Sequence, residues 1–182
     1  MTRYISLLRG VNVSGQKLIR MEHLRQMYEE QGFADVCTYL QSGNVVFKAG
    51  GCTADDAAQK IAAAIQKIFG FDVAVFVTEP EKFRQIIENN PFSNKPEKET
   101  THVYVTFLAG TPLLTEAPAL LSKKHDTEEI VVTESAVYLY CPIGYGKTKL
   151  NNNYIESRLK CKATTRNWKS CTELYKMVMQ DE

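Results

Sequence analysis

Apolar and polar positions in the first half of the chain alternate in the way that strands and helices require. Residues 4–8 form a short apolar run, which predicts a buried strand. A helix follows, and its apolar face comprises Met21, Leu24, Met27 and Tyr28. Residues 36–40 and 45–48 read as two strands joined by the turn Gln41-Ser42-Gly43-Asn44, because Gly and Asn tolerate positive φ. The pattern thus predicts a β-hairpin after the first helix.

A second helix and a fourth strand complete this pattern. The helix carries a stripe made of Ala57, Ala58, Ile61, Ile65 and Ile68. Gly70 ends it, and the alternation of Val73, Val75 and Val77 predicts a strand. The order β-α-β-β-α-β is that of a ferredoxin-like unit, in which the first and second strands run parallel with the third between them.

The second half repeats the order in a shortened form. Residues 78–89 predict a connecting helix, and the polar stretch 93–100 predicts a linker. A strand, a helix, a hairpin and two helices follow at residues 102–108, 113–121, 130–140, 150–160 and 168–179. The second half is therefore predicted as βαββα, with a C-terminal helix in place of a fourth strand. The fold class is α+β, with a ferredoxin-like domain at 1–78, a connecting helix and linker at 79–99, and a second α+β domain at 100–182.

Composition narrows the classes of function. Lys and Arg total 22 against 21 Asp and Glu, so the net charge of +1 argues against a protein that coats nucleic acid by charge alone. No window approaches the roughly 20 apolar residues of a membrane span, and we expect no signal peptide at the N-terminus. The five cysteines are odd in number and form no C-x-x-C pair. We therefore expect a cytoplasmic protein without membrane association, disulfide, bound metal or cofactor.

The predicted topology brings two polar segments to one sheet edge. Arg9 and Asn12 follow the first strand, while Ser42 and Asn44 follow the second. Parallel strands end at the same edge, so these segments should lie on the order of 10 Å apart. A guanidinium, two carboxamides, a hydroxyl and turn N–H groups are suited to an anion. The alternative is that the glycines and Asn44 only form turns.

Two further segments carry cations in the second half. Lys147 and Lys149 lie in Gly144-Tyr145-Gly146-Lys147-Thr148-Lys149, before a predicted helix. A P-loop would need a glycine at Cys141, so a nucleoside triphosphatase is not supported. Anion binding at a helix start and an ordinary solvated helix start both remain open.

The last segment precedes the final helix. Arg166 and Asn167 lie just before Trp168, the single tryptophan. Asn167 suits a helix cap, Arg166 stands where an anion would bind, and Trp168 suits either core packing or base stacking.

Three segments together resemble a known bacterial family. Residues 7–13 read Leu-Leu-Arg-Gly-Val-Asn-Val, residues 39–47 read Tyr-Leu-Gln-Ser-Gly-Asn-Val-Val-Phe, and residues 164–168 read Thr-Thr-Arg-Asn-Trp. In this order they are similar to the signature segments of domain-of-unknown-function family 1697. Ser14-Gly15 departs from the two glycines that many members have there. The resemblance implies a two-part α+β fold with a ferredoxin-like half and implies no function, and no catalytic residue is carried over.

Three readings of function follow. The first is a binding module for a phosphorylated or other anionic ligand, such as a nucleotide or nucleic acid, although the chain lacks the RNP1 motif. The second is an enzyme of unknown reaction in the same pocket, which would need a histidine near Ser42. The third is a protein-interaction module without a small ligand. We favour the first. Its candidate ligand-binding residues are Arg9, Asn12, Ser42, Asn44, Lys147, Lys149, Arg166 and Asn167; no catalytic residue or oligomeric state is predicted.

Overall fold

The chain forms two compact units. The computed structural model describes residues 1–180. Among the described residues, one unit comprises Met1–Gln85 together with residues 173–180, and the other comprises Ile86–Thr172. The first unit therefore contains the N-terminal half of the sequence and a segment from its far end. Arg3 shows this directly, because its Nη1 donates a hydrogen bond of 2.9 Å to the carbonyl oxygen of Val178.

The first unit has the predicted βαββαβ order. Its elements are β1 (Thr2–Leu8), α1 (Met21–Glu30), β2 (Ala34–Tyr39), β3 (Asn44–Ala49), α2 (Ala54–Phe69) and β4 (Val75–Thr78). The strands form a four-stranded antiparallel sheet in the order β2-β3-β1-β4. β1 pairs with β3 so that Tyr4 lies opposite Phe47 and Leu7 opposite Asn44. The predicted place of β1 beside β3, inside the sheet, is confirmed.

The helix-facing side of this sheet is an aromatic core. Tyr28 of α1 packs edge-on against Phe47 with ring centroids 5.4 Å apart, and Phe33 lies 4.7 Å from Phe47. A polar contact inside this layer joins the hydroxyls of Tyr28 and Ser6 at 2.8 Å. Burial raises the pKa of the Tyr28 phenol. The phenol is therefore neutral and needs this partner, because a buried hydroxyl without one is costly.

The opposite face of the same sheet is also covered. Ile5 and Leu7 of β1 are fully buried, and Val46 and Phe76 are nearly so. Some ferredoxin-like proteins bind RNA by stacking bases on aromatic side chains of an open sheet face. Strands β1, β3 and β4 offer no open face of that kind, because these four side chains are buried.

Local signals set the bounds of α2. Thr53 accepts a hydrogen bond from the backbone N–H of Asp56, and the Asp56 carboxylate accepts one from the backbone N–H of Thr53. This capping box starts the helix, and Gly70 ends it at φ 74°, a value that favours glycine. Hydrogen bonds from Thr53 hold the pKa of the Asp56 carboxyl below its ordinary value.

The second unit contains a complete second set of strands. Helix α3 (Pro80–Glu88), whose residues divide between the units, precedes β5 (Val103–Ala109), α4 (Ala117–Lys123), β6 (Glu129–Val132), β7 (Ala136–Tyr140), α5 (Asn152–Leu159) and β8 (Lys162–Asn167). Helix α6 (Trp168–Met179), whose residues also divide between the units, follows. The sheet order is β6-β7-β5-β8, which matches the order in the first unit. The mixed α+β class with a ferredoxin-like arrangement is thus confirmed.

Strand β8 corrects one detail of the sequence analysis. We expected no strand before the last helix, but Lys162–Asn167 pairs with β5, with Thr165 opposite Thr106 and Arg166 opposite Val105. The pattern was missed because Ala163 is the only apolar residue in the strand. Its buried positions also include Thr164 and Arg166, which an apolar alternation does not reveal.

Candidate functional site

Two loops meet at one edge of the first sheet, as the topology predicts. We call residues 9–20 and 39–44 together the loop edge. Strands β1 and β2 flank β3, which is antiparallel to both, so their C-terminal ends lie on the same side. The loops touch: Asn12 Nδ2 donates to the carbonyl oxygen of Gln41 at 2.6 Å, and Leu8 N–H donates to that of Gly43 at 2.9 Å. The predicted closeness of these segments is confirmed.

Gly43 allows this close approach. A Cβ at this position would lie 2.6 Å from the Cβ of Leu8, closer than side chains pack, and φ is +72°. Both the space and the backbone conformation therefore require glycine. The glycine of the Gln-Ser-Gly-Asn turn lets the hairpin pack on the end of β1.

Asn12 organises the first loop. Its Nδ2 donates to the carbonyl oxygen of Ile19 at 2.9 Å as well as to Gln41, and its Oδ1 accepts from Ile19 N–H at 2.9 Å. Asn12 itself has φ 56°, a value that Asn tolerates better than most residues. Its side-chain amide thus holds three points of the loop edge together.

Asn44 and Ser42 stabilise the second loop. Asn44 is fully buried, and its Nδ2 donates to the carbonyl oxygen of Tyr39 at 3.0 Å and to Ser42 Oγ at 2.9 Å. Asn44 therefore stabilises the turn, which is the alternative role that the sequence indicates for it. A ligand at this edge would meet the loop that these two residues shape.

The first loop carries three cationic side chains. Arg9 is half-buried at the end of β1, and its backbone N–H donates to the carbonyl oxygen of Ala74 at 3.0 Å. Lys17 is half-buried and donates through Nζ to the carbonyl oxygen of Asp72. Arg20 is exposed at the N-cap position of α1. The sequence analysis singled out Arg9 but not Lys17 or Arg20; the absence of Asp and Glu from residues 9–20 is the signal that finds them.

Arg166 lies in a strand and not in a loop. It is buried, and its Nη1 donates to Thr164 Oγ1 at 2.9 Å and to the carbonyl oxygen of Thr165 at 3.0 Å. Burial lowers the pKa of the guanidinium to about 10, while nearby Cys171 and Tyr145 act in the opposite direction. Arg166 therefore remains charged at neutral pH and hydrogen-bonds within its own strand.

The glycine-rich segment of the second unit lies against the same strand. Tyr145 Oη donates to Thr165 Oγ1 at 3.1 Å, and Thr165 Oγ1 also contacts Thr106 Oγ1 and Asn152 Oδ1, each at 2.7 Å. This hydroxyl network was not predicted. Once β8 is known, the sequence signal for this network is a threonine in the middle of each of the two paired strands, β5 and β8.

The remaining predicted residues of the second unit divide into two kinds. Asn167 caps α6, because its Oδ1 accepts from Ser170 N–H at 2.8 Å. Lys147, the last residue of the short 3-10 turn Tyr145–Lys147, and Lys149 are exposed on either side of Thr148. Only the two lysines therefore present charge to solvent here.

Two of the five thiols are buried, and two of the three histidines interact with residues close to them in the chain. Burial raises the pKa of Cys141 and of Cys171 to about 12, so both stay protonated. His125 Nδ1 hydrogen-bonds Thr127 Oγ1 at 3.0 Å, and His102 Nε2 lies 3.6 Å from Glu99. Residues 1–180 contain no group of three His, Cys, Asp or Glu placed to hold a metal ion.

The two strand sets and the loop edge describe a protein of the α+β class with ferredoxin-like units. The chain belongs to the family of proteins of unknown function DUF1697, whose model matches residues 1–138. Of the three signature segments, the first two lie inside the matched range and residues 164–168 lie beyond it.

A solved structure has the same fold. The conserved bacterial protein SP0830 from Streptococcus pneumoniae aligns over 97% of this chain and 98% of that chain, with a TM-score of 0.75 and 23% identity. At this identity the likeness concerns the fold alone. No curated protein matches the chain.

Within the part of the chain that the structure describes, none of the helices combines the length and apolar character that crossing a membrane demands.

Proposed function

We propose that this protein is a binding module for an anionic partner and that the loop edge of the first unit is its binding surface. The supporting observation is a local surplus of positive charge. Residues 9–20 contain Arg9, Lys17 and Arg20 and no Asp or Glu, in a chain whose net charge is only +1. Such a surplus on one edge attracts anions and favours their approach.

The geometry of the edge fits this role. Asn12, Ser42 and Asn44 fix the two loops through their side-chain hydrogen bonds, so the cations extend from a braced backbone. Lys17 donates to a carbonyl oxygen, which is neutral and leaves its charge in place. A pre-organised site loses less conformational entropy when it binds.

The candidate ligand-binding residues of the second unit have weaker support. Lys147 and Lys149 present charge to solvent, whereas Arg166 and Asn167 use polar atoms within their own unit. The two lysines therefore form a separate group of possible anion contacts, and they are tested separately. Arg166 and Asn167 act on ligand binding only through the strand and helix that they hold.

Binding is better supported than catalysis at this edge. Ser42 accepts a hydrogen bond from Asn44, and the hydrogen bonds of His125 and the ion pair of His102 lie with other residues. A hydroxyl nucleophile needs a base within hydrogen-bond reach. We also propose that the protein is cytoplasmic, which its five free thiols support.

The test is a thermal-shift titration of the full chain with inorganic phosphate, adenosine monophosphate and an acidic peptide. A ligand of the native state raises the melting temperature by mass action. Arg9→Ala and Arg20→Ala should each weaken the binding of a positive probe by about 10- to 100-fold, as expected for hydrogen bonds to charged groups of about 1.5–3 kcal/mol.

One control and one further variant complete the test. Lys67→Ala changes an exposed lysine of α2 and should leave binding unchanged, while Lys147→Ala examines the second group of cations. Equal binding by the wild type, Arg9→Ala and Arg20→Ala would contradict the proposed site.

A further inference from the structure

Three large aliphatic side chains are exposed at the loop edge. Val13 is 54% exposed, Leu18 66% and Leu40 57%. Single exposed aliphatic residues are ordinary on a protein surface, but a cluster of them marks an interaction site. These three belong to the two loops that Asn12 joins, so they need to be considered as one group.

Hydrogen bonds to Asn12 limit how far apart the three residues can lie. Val13 is the chain neighbour of Asn12, Leu18 is the neighbour of Ile19, and Leu40 is the neighbour of Gln41. Ile19 and Gln41 both accept from Asn12 Nδ2, at 2.9 and 2.6 Å. Summed bond and hydrogen-bond lengths place the three Cα atoms within roughly 18 Å of one another at most. An extended segment of about five residues spans that distance.

Leu40 is held in an unfavourable backbone conformation. Its φ is 55°, in the left-handed region that a bulky side chain rarely adopts. Asn or Gly would fit this position with less strain, yet a leucine occupies it and is exposed to water. Strain of this kind persists only where the surrounding structure compensates for it, and it clusters at functional sites.

We propose that the loop edge docks a short acidic polypeptide segment that carries a large apolar side chain. The aliphatic group formed by Val13, Leu18 and Leu40 receives the apolar side chain, and the cations of residues 9–20 face the acidic ones. This inference rests on the proposed function, because it names the chemical class of the anionic partner. Charge complementarity selects the occupant: the edge is apolar and basic, and residues 9–20 contain no acid.

A peptide fits this edge better than nucleic acid or lipid. The exposed large side chains are aliphatic, whereas binding of single-stranded nucleic acid depends on aromatic stacking. Ser14, Gly15 and Gln16 are exposed between Val13 and Lys17. In the hydrocarbon of a lipid bilayer, the polar groups of these residues would lose their hydrogen bonds to water and gain no others. A peptide backbone, in contrast, offers hydrogen-bond partners.

The experiment uses fluorescent acidic peptides of equal charge that differ at one central position, which is Leu, Phe or Ser. Fluorescence anisotropy with the full chain should give about tenfold tighter binding for the Leu and Phe peptides than for the Ser peptide. Leu40→Asn should abolish that preference, so that the three peptides bind with equal affinity. Leu121→Asn, the same change at a 47% exposed leucine of the second unit, should change neither.

The outcomes separate the two proposals. If the three peptides bind equally and Leu40→Asn has no effect while Arg20→Ala weakens all of them, the apolar contact is wrong and the anionic site stands. If Arg20→Ala has no effect on any probe, the anionic site itself is wrong. Preference for a thymidine oligonucleotide or for phosphatidylglycerol vesicles over every peptide would overturn the choice of partner. Circular dichroism of Leu40→Asn checks the fold, which should persist because Asn tolerates the Leu40 backbone conformation.

Discussion

Replacement of Gly43 by alanine is expected to destabilise the protein by about 1.5–4.5 kcal/mol, whereas the same change at Gly10 should have a smaller effect. The two glycines have the same φ, +72°, and they differ in what a Cβ would meet. At Gly43 the new atom would lie 2.6 Å from the Cβ of Leu8, while at Gly10 nothing lies within 4 Å. The pair therefore separates the effect of close packing from the effect of backbone conformation.

The magnitudes follow from two contributions. An alanine in the left-handed region is disfavoured by about 1–2 kcal/mol, and the stiffer unfolded chain offsets about 0.4–1 kcal/mol of that. Gly10→Ala should therefore lower the free energy of unfolding by roughly 0.5–1.5 kcal/mol. Gly43→Ala adds overpacking against Leu8, typically about 1–3 kcal/mol. The neighbour cannot move easily, because Leu8 N–H is bonded to the carbonyl oxygen of Gly43 at 2.9 Å.

The assay is urea unfolding followed by circular dichroism, with thermal melting as a second measurement. Each kcal/mol should lower the melting temperature by about 2–4 °C in a chain of this size. Equal destabilisation by the two substitutions would refute the packing argument. A stable Gly43→Ala variant would mean that the two loops do not approach as closely as the structure shows.

Two other predictions concern buried groups. Tyr28→Phe should lower the free energy of unfolding by about 1 kcal/mol in urea unfolding, because it removes the 2.8 Å contact with buried Ser6; no change would mean that the serine hydroxyl has another sufficient partner. At pH 8 a thiol reagent should modify exposed Cys37 in the native protein but reach Cys171 only after unfolding, because burial raises the Cys171 pKa to about 12; mass spectrometry that finds both labelled natively would contradict this.

The first unit was predictable because its burial follows its hydrophobic pattern. Met21, Leu24, Met27 and Tyr28 recur at helical spacing, and all four are buried on α1. The run at residues 4–8 gave a strand with two buried faces, and right-handed crossover rules then placed β3 beside it. Strand β8 could not be found in this way, since Arg166 is buried by tertiary packing although its side chain is charged.

The position of the candidate site could be predicted from the sequence, but the roles of its residues could be predicted only in part. Topology alone indicated that the segments after β1 and β2 meet. The direction of each amide depends on loop geometry, and the sequence does not show that Asn12 and Asn44 hydrogen-bond to backbone carbonyl groups. Nor does it show which aliphatic residues of a loop remain in water, because burial is a property of the folded chain. Leu18 and Leu40 therefore became visible as a group only in the structure.

The return of the chain to the first unit sets an order of events during synthesis. Arg3 leaves the ribosome early, but its partner Val178 lies 175 residues later in the chain. Residues 86–172 emerge before the segment that completes the first unit. At about 5–20 residues per second, the interval between residues 85 and 173 lasts on the order of 4–18 seconds. The second unit, although later in the sequence, is thus the first of the two to have its whole chain available for folding.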